Sequence, residues 1–393
     1  MAIYAVWPFY LCIVLLMTIA ASPVFAAAGG GGASKGRRVI TLDGLRGFLA
    51  LGVYFHHAAV YHAFILGLGW HLPPSQFYTM LGQGGVAAFF MITGYLFWDR
   101  MIRTFGRPGW VVLYIGRVFR IGPIYFVAII FMIFAVFYNS GMKLRVGMLV
   151  FLKQLAHWSM LGYDATGLNG DGNAPRLLAY VTWSLHYEWL FYFSLPIIAI
   201  AARWNRLHLP FAATGLIVVM WYATLTSSST VIFAALFLVG MLVASLQQRA
   251  LMPKLPPFVA SGLVVASVSL AFALFPTAYE VGSVVLFGTA FGLIASGCAV
   301  FGILATRAAR RLGEVSYGIY LLQGLVLALL YSSGSIRRFA LESPLNYWIM
   351  SLAGAVILIL TALLAHVVVE RPGIGAGRRL IGALVQIRLR ALG

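Results

Sequence analysis

The sequence predicts an all-α protein: a polytopic transmembrane helical bundle of ten core spans preceded by an N-terminal hydrophobic segment. Three observations carry that prediction. Of 393 residues, 62% are hydrophobic and only 9% charged, where a soluble domain of this length carries about 25% charged residues. The mean hydropathy is +0.94, so the surplus of apolar side chains has to face lipid. The apolar residues also come in segments close to the ~20 residues that cross a bilayer as one helix.

These segments lie near 4–28, 44–66, 82–98, 119–138, 177–201, 209–226, 230–246, 258–276, 281–304, 315–333 and 346–369. Loops rich in Lys and Arg stay on the cytoplasmic side. The strongest basic clusters are KGRR (35–38), DRMIRTFGR (99–107), Arg203 with Arg206, Arg249 with Lys254, RAARR (307–311) and the C-terminal tail. With all of them cytoplasmic, ten spans from residue 44 onward alternate without conflict. The stretch 139–176, which contains GLNGDGNAP, becomes the longest external loop. Lys143, Arg145 and Lys153 within it run against the charge rule, as do Arg337 and Arg338. A short amphipathic helix near 147–162 accounts for some of them.

Residues 1–28 end in small residues, as a signal peptide does, but their start has no Lys or Arg. Cleavage would also leave KGRR outside, so a retained span with an external N-terminus fits the charges better. The division that follows is an N-terminal hydrophobic segment and Gly-rich linker (1–34), a transmembrane domain (35–372) and a basic cytoplasmic tail (373–393).

The net charge of +18 belongs to the topogenic loops and to attraction by acidic headgroups. No nucleic-acid motif accompanies it. The two cysteines, Cys12 and Cys298, sit in apolar runs, and the eight histidines show no metal-ligand spacing, so no metal is expected.

Nine acids can be weighed singly. Asp43, Asp99, Glu314 and Glu370 sit at span ends; Asp164, Asp171, Glu280 and Glu342 sit in loops. Glu188 alone lies well inside a span, in WSLHYEWLFYF (183–193). A carboxylate in the hydrocarbon region is costly unless paired, protonated or wet, which makes it a functional candidate.

The stretch TLDGLRGFLALGVYFHH (41–57) places Arg46 and His57 eleven residues apart. At about 100° per residue this is close to three whole turns, so they share one helix face about 16 Å apart. Arg46 then sits near the cytoplasmic surface and His57 near the membrane middle. His56 points some 100° away. Asp43 lies one turn below Arg46, within pairing distance. The alternatives are a structural interhelical bond for His57 and a topogenic charge for Arg46. In RVFR (117–120), Arg117 and Arg120 are neighbours on a helix face. Paired guanidinium groups suit bidentate phosphate binding, although two arginines beside a span also serve orientation.

Taken together, these pieces resemble the membrane-bound acyltransferase 3 family. LDGLRGFLALGVYFHH (42–57) resembles its first-helix signature, with Arg46 and His57 as the basic residue and the histidine. GGVAAFFMITGYLF (84–97), RVFRIGPIY (117–125), TWSLHYEWLFYFSLP (182–196), SYGIYLLQ (316–323) and ERP (370–372) resemble later motifs in family order. The chain departs from the pattern in three places. Thr93 replaces a usual serine, Tyr95 a usual phenylalanine, and Gln323 a frequent histidine, which leaves a role for that last position open.

The resemblance implies a cytoplasmic acyl-CoA donor, most often acetyl-CoA, as substrate and no permanently bound cofactor. It also implies a carbohydrate or glycolipid acceptor of the cell envelope and residence in the bacterial inner membrane. Arg117 and Arg120, with Arg46, would bind the phosphates of acyl-CoA. His57 would act as general base or be acylated itself. Glu188 would either orient His57 or pair with an arginine such as Arg46 or Arg120. Asp43, His56, Thr93, Tyr95, Trp183, Ser184, Tyr192, Tyr317 and Tyr320 are candidates for lining the cavity, with plain packing equally open for each. The alternative from another class is a transporter or flippase for an envelope precursor, although no internal repeat of the kind common in transporters is visible.

Overall fold

The computed structural model describes residues 3–23, 25, 39–160, 167–226 and 228–390. The Gly-rich linker and the KGRR cluster at 35–38 lie outside the described residues. Among the described residues the chain is all-α, and its one β feature is an isolated bridge between Leu168 and Asp171. The helices are α1 (Trp7–Ala21), α2 (Ile40–Ile65), α3 (Gln76–Arg103), α4 (Trp110–Asn139) and α5 (Met148–Ser159). They continue with α6 (Trp183–Ile198), α7 (His208–Thr226), α8 (Ser229–Gln248), α9 (Pro257–Leu274) and α10 (Val281–Ala295). The last are α11 (Arg307–Glu314), α12 (Ser316–Leu330), α13 (Gly334–Glu342), α14 (Pro344–Ala365) and α15 (Arg371–Arg390).

Every apolar segment of the sequence holds a helix. Among the described residues eight helices are long and apolar enough to cross a membrane, or nine if α11 and α12, which meet at 65°, form one broken span. Two predicted spans fall short and, among the described residues, join no second helix to make up the length: α1 and α10 have fifteen residues each. That is about 22 Å of helix against a hydrocarbon core of about 30 Å. The segment predicted at 281–304 stops at Ala295 because Gly297, Val300, Phe301 and Gly302 all take positive φ, which a right-handed helix does not accommodate.

A π-helical turn at His366–Glu370 joins α14 to α15, so the stretch read as a tail continues as helix. Gly373 and Gly377 lay α15 on Pro123 and Phe119 of α4. The amphipathic helix expected near 147–162 is present as α5, with Trp158 its buried residue.

The centre of the bundle is α2, α3 and α8. Gly94 of α3 rests on the backbone of α8 at Phe237, and Gly240 of α8 rests on the backbone of α3 at Met91. A side chain at either position would collide with a carbonyl, so the two helices approach as close as backbones allow. Gly94 is the glycine of the TGYLF element, and its role here is packing.

Candidate active site

Five sequence elements converge on one crevice of about 120 Å³. Arg46 of α2, Thr93 of α3, and Arg117 and Arg120 of α4 line it. Ser184, Glu188 and Tyr192 of α6 complete it together with Tyr317 and Tyr320 of α12. The volume suits a narrow chain and a few waters, not a nucleotide.

The charges within it are arranged unequally. Both oxygens of Glu188 are engaged: Tyr192 donates its hydroxyl at 2.8 Å and Thr93 donates at 3.3 Å. The Arg117 guanidinium lies over the Phe97 ring at 4.4 Å and over Tyr192 at 5.9 Å, a stacked geometry available to its planar group. Arg46 stands amid the charges of Arg120, Asp43, Glu370 and Arg117. Among the described residues, Arg46, Arg117 and Arg120 make no side-chain hydrogen bond and no salt bridge. Each guanidinium has five N–H donors. Three sets of unused donors around one narrow opening, with one carboxylate already occupied, make a site for an anion.

His57 is absent from the crevice wall and keeps part of its surface open. Its Nδ1 faces the Val53 carbonyl at 3.0 Å and Oε1 of Gln323 at 3.3 Å. Gln323 is fully buried, and its Nε2 donates to the Tyr320 carbonyl at 2.7 Å, which fixes which end of the amide meets the imidazole. Both groups at Nδ1 are therefore acceptors. In the neutral ring we place the proton on Nδ1, between these two acceptors, which leaves the lone pair on Nε2; the Ala179 carbonyl also contacts the imidazole. Tyr320 also meets the crevice, where its hydroxyl and that of Ser184 lie 2.7 Å apart. The imidazole and the arginine crevice are thus joined through Gln323 and Tyr320.

Several expectations need correction. Glu188 is not the partner of His57: its oxygens are held by Thr93 and Tyr192, while Gln323 occupies the place by the imidazole. His56 does not line the cavity; its Nδ1 meets the Tyr78 carbonyl at 2.9 Å, and its ring fills the space left by Gly82 of α3. Tyr95 turns to α8, donating to Gln247 at 2.6 Å. Trp183 packs in an aromatic cluster with Phe90, Tyr187 and Phe233. Asp43 lies outside the crevice wall in the first turn of α2, where a carboxylate suits the helix dipole.

Two features escaped the sequence. Gln323 stands where the family often has a histidine, yet its amide oxygen does what an acceptor must do at Nδ1. Glu370, 3% exposed, accepts from His366 at 2.8 Å within the π turn, and its charge acts on Arg46.

A family model described as an acyltransferase domain, that of the acyltransferase 3 family, matches residues 39–367. Nodulation protein 10 of Rhizobium leguminosarum bv. viciae is 28% identical over 370 residues, covering 86% of this chain and 94% of that protein. No solved structure matches the chain. With five-sixths of its length inside the family model, the chain belongs to the acyltransferase 3 family and is a multi-pass integral membrane acyltransferase.

Proposed function

We propose that the protein is an O-acyltransferase of the bacterial inner membrane. It moves an acyl group, acetyl in the simplest case, from cytoplasmic acyl-CoA to a hydroxyl of a cell-envelope carbohydrate or glycolipid. The observation that carries this reading is the crevice in which Arg46, Arg117 and Arg120 converge with their donors unused. The phosphates of CoA would rest at its mouth, and the narrow pantetheine arm would enter it. The thioester would then approach His57 along the Ser184–Tyr320 side.

The chemistry follows from the tautomer. Nε2 of His57 takes the proton of the acceptor hydroxyl as that oxygen attacks the thioester carbonyl. A C–O bond forms and the C–S bond breaks. The imidazolium returns the proton to the departing thiolate, so the products are an O-acyl ester and free CoA thiol. The Val53 carbonyl and Gln323 amide oxygen hold the Nδ1 proton throughout and favour the charged ring as it forms. Glu188 acts in the crevice, where it offsets the repulsion among the arginines.

The test uses purified protein with radiolabelled acetyl-CoA, measuring CoA release and label transfer. Wild type should bind and turn over the donor, His57→Ala should bind without turnover, and Arg120→Ala should bind about tenfold or more weakly. Equal activity in all three would remove the site assignment. A wild-type protein that fails to bind acyl-CoA would favour transport.

A further inference from the structure

A larger cavity lies away from the crevice. It is a slot of about 1250 Å³ between α1 and the bundle. Ile13 and Met17 of α1, Phe48 of α2, Leu81 of α3, Val268 of α9 and Phe291 of α10 are among its walls. The family model begins at residue 39, so the wall made by α1 lies outside the matched region.

The slot is not the result of a loosely placed helix, because α1 is fastened at both ends. At one end Tyr78 donates to the Ala5 carbonyl at 2.8 Å, and Trp348 donates to the Ile3 carbonyl at 3.1 Å. At the other, Nη1 of Arg311 donates to the carbonyls of Ala20, Ala21 and Ser22 at 2.9, 3.0 and 3.2 Å. A cation on the last carbonyls of a helix satisfies both their lone pairs and the helix dipole. A helix pinned at its ends with an apolar gap between them is incomplete, since native interiors are close-packed and water is not retained on apolar walls.

The dimensions and the charge say what completes it. From Phe9 to Ala21, both in the wall, α1 rises about 18 Å, slightly more than one leaflet of hydrocarbon. At about 30 Å³ per water-sized group, the slot holds on the order of forty such groups, the scale of the two chains of a phospholipid. Its one charged wall residue is Arg307, at the end also formed by Thr18, Ala21 and Thr306. Arg310 lies one turn on along α11, on the same face. Both arginines are exposed, and among the described residues neither side chain has a hydrogen bond or ion pair. They belong to RAARR, the cluster that the charge rule puts at the cytoplasmic surface.

We propose that this slot binds an anionic phospholipid of the cytoplasmic leaflet, with its acyl chains between α1 and the bundle and its phosphate on Arg307 and Arg310. The lipid completes the packing of α1 and is independent of the acyl chemistry.

The test is native mass spectrometry of the full chain released from detergent, loaded with dioleoyl phosphatidylglycerol or with dioleoyl phosphatidylcholine. Wild type should retain one phosphatidylglycerol under activation that strips phosphatidylcholine. Arg307→Glu with Arg310→Glu should lower that retention at least fivefold and leave phosphatidylcholine unchanged. Ala88→Trp and Val268→Trp, each filling the slot from a different wall, should abolish retention. Three results would overturn the proposal: equal retention of the two lipids by wild type, unchanged retention in the double charge reversal, or full retention in both slot-filled proteins. The same spectrum gives the protein's mass, and a mass that lacks the α1 segment would overturn it as well.

Discussion

The helices α2 and α3 each serve two cavities, and the two faces are chemically opposite. One face puts Arg46 and Thr93 into the crevice. The other puts Leu45, Phe48, Gly84 and Ala88 into the slot. Arg46 and Leu45 are adjacent in sequence and differ in surroundings only because one residue turns a helix by about 100°. In a chain this apolar, hydrophobicity does not mark a site, since nearly every face has it. What marks the crevice is the concentration of donors without partners. What marks the slot is missing contact where the helices around it are otherwise tightly packed.

The largest effect that separates the two faces should come from His57→Ala. Removing a general base costs roughly a hundred- to ten-thousand-fold in rate, while acyl-CoA binding and lipid retention stay intact. Rate and donor affinity measured on one preparation decide this; a parallel fall in both would mean that the fold had been damaged. Next in size are the arginines. Hydrogen bonds to charged groups contribute about 1.5–3 kcal/mol, so Arg46→Ala, Arg117→Ala or Arg120→Ala should each raise KM for acyl-CoA by about tenfold or more. Lysine at Arg117 should not restore it, because the stacking on Phe97 needs a planar group. Isothermal titration with CoA alone checks whether the loss lies in the phosphates.

How far these residues can be read from the sequence depends on the range of the contact. Arg46 and His57 lie on one continuous helix, and Arg117 and Arg120 on another, so periodicity alone relates the members of each pair. Glu188 stands out because a carboxylate inside an apolar span is costly. The spans themselves follow from hydropathy. The pairing of His57 with Gln323 does not, since 266 positions separate them and neither residue type announces the other. The same holds for the two histidines: the helical count separates them, but only the structure gives His56 its partner on α3. Short helices escaped for another reason. The positive φ of Gly297, Val300, Phe301 and Gly302 is a backbone conformation that an apolar segment does not declare.

Gln323 offers a finer cut. Gln323→Leu removes the acceptor at Nδ1 but leaves the Val53 carbonyl, so kcat should fall about tenfold, the equivalent of one hydrogen bond. KM for acyl-CoA should not move, because Gln323 does not touch the arginines. Gln323→Glu retains an acceptor at that place and should recover most of the rate. A fall in kcat that glutamate fails to rescue would make the contact a packing feature.

The smallest effect should come from His56, and its size is the informative part. His56 and His57 are adjacent, their rings 4.9 Å apart and edge-on, yet one is 8% exposed and bound to the Tyr78 carbonyl while the other keeps open surface. Replacing His56 by phenylalanine removes one neutral hydrogen bond, about 1 kcal/mol of stability, and leaves Nε2 of His57 untouched. Its activity should stay within about twofold of wild type while its thermal midpoint falls. His56→Asn, which can still donate toward Tyr78, should lose less stability than phenylalanine does. If His56→Phe instead stopped turnover at an unchanged midpoint, the two histidines would act as a pair, and the division of α2 into a reactive and a packing face at this depth would fail.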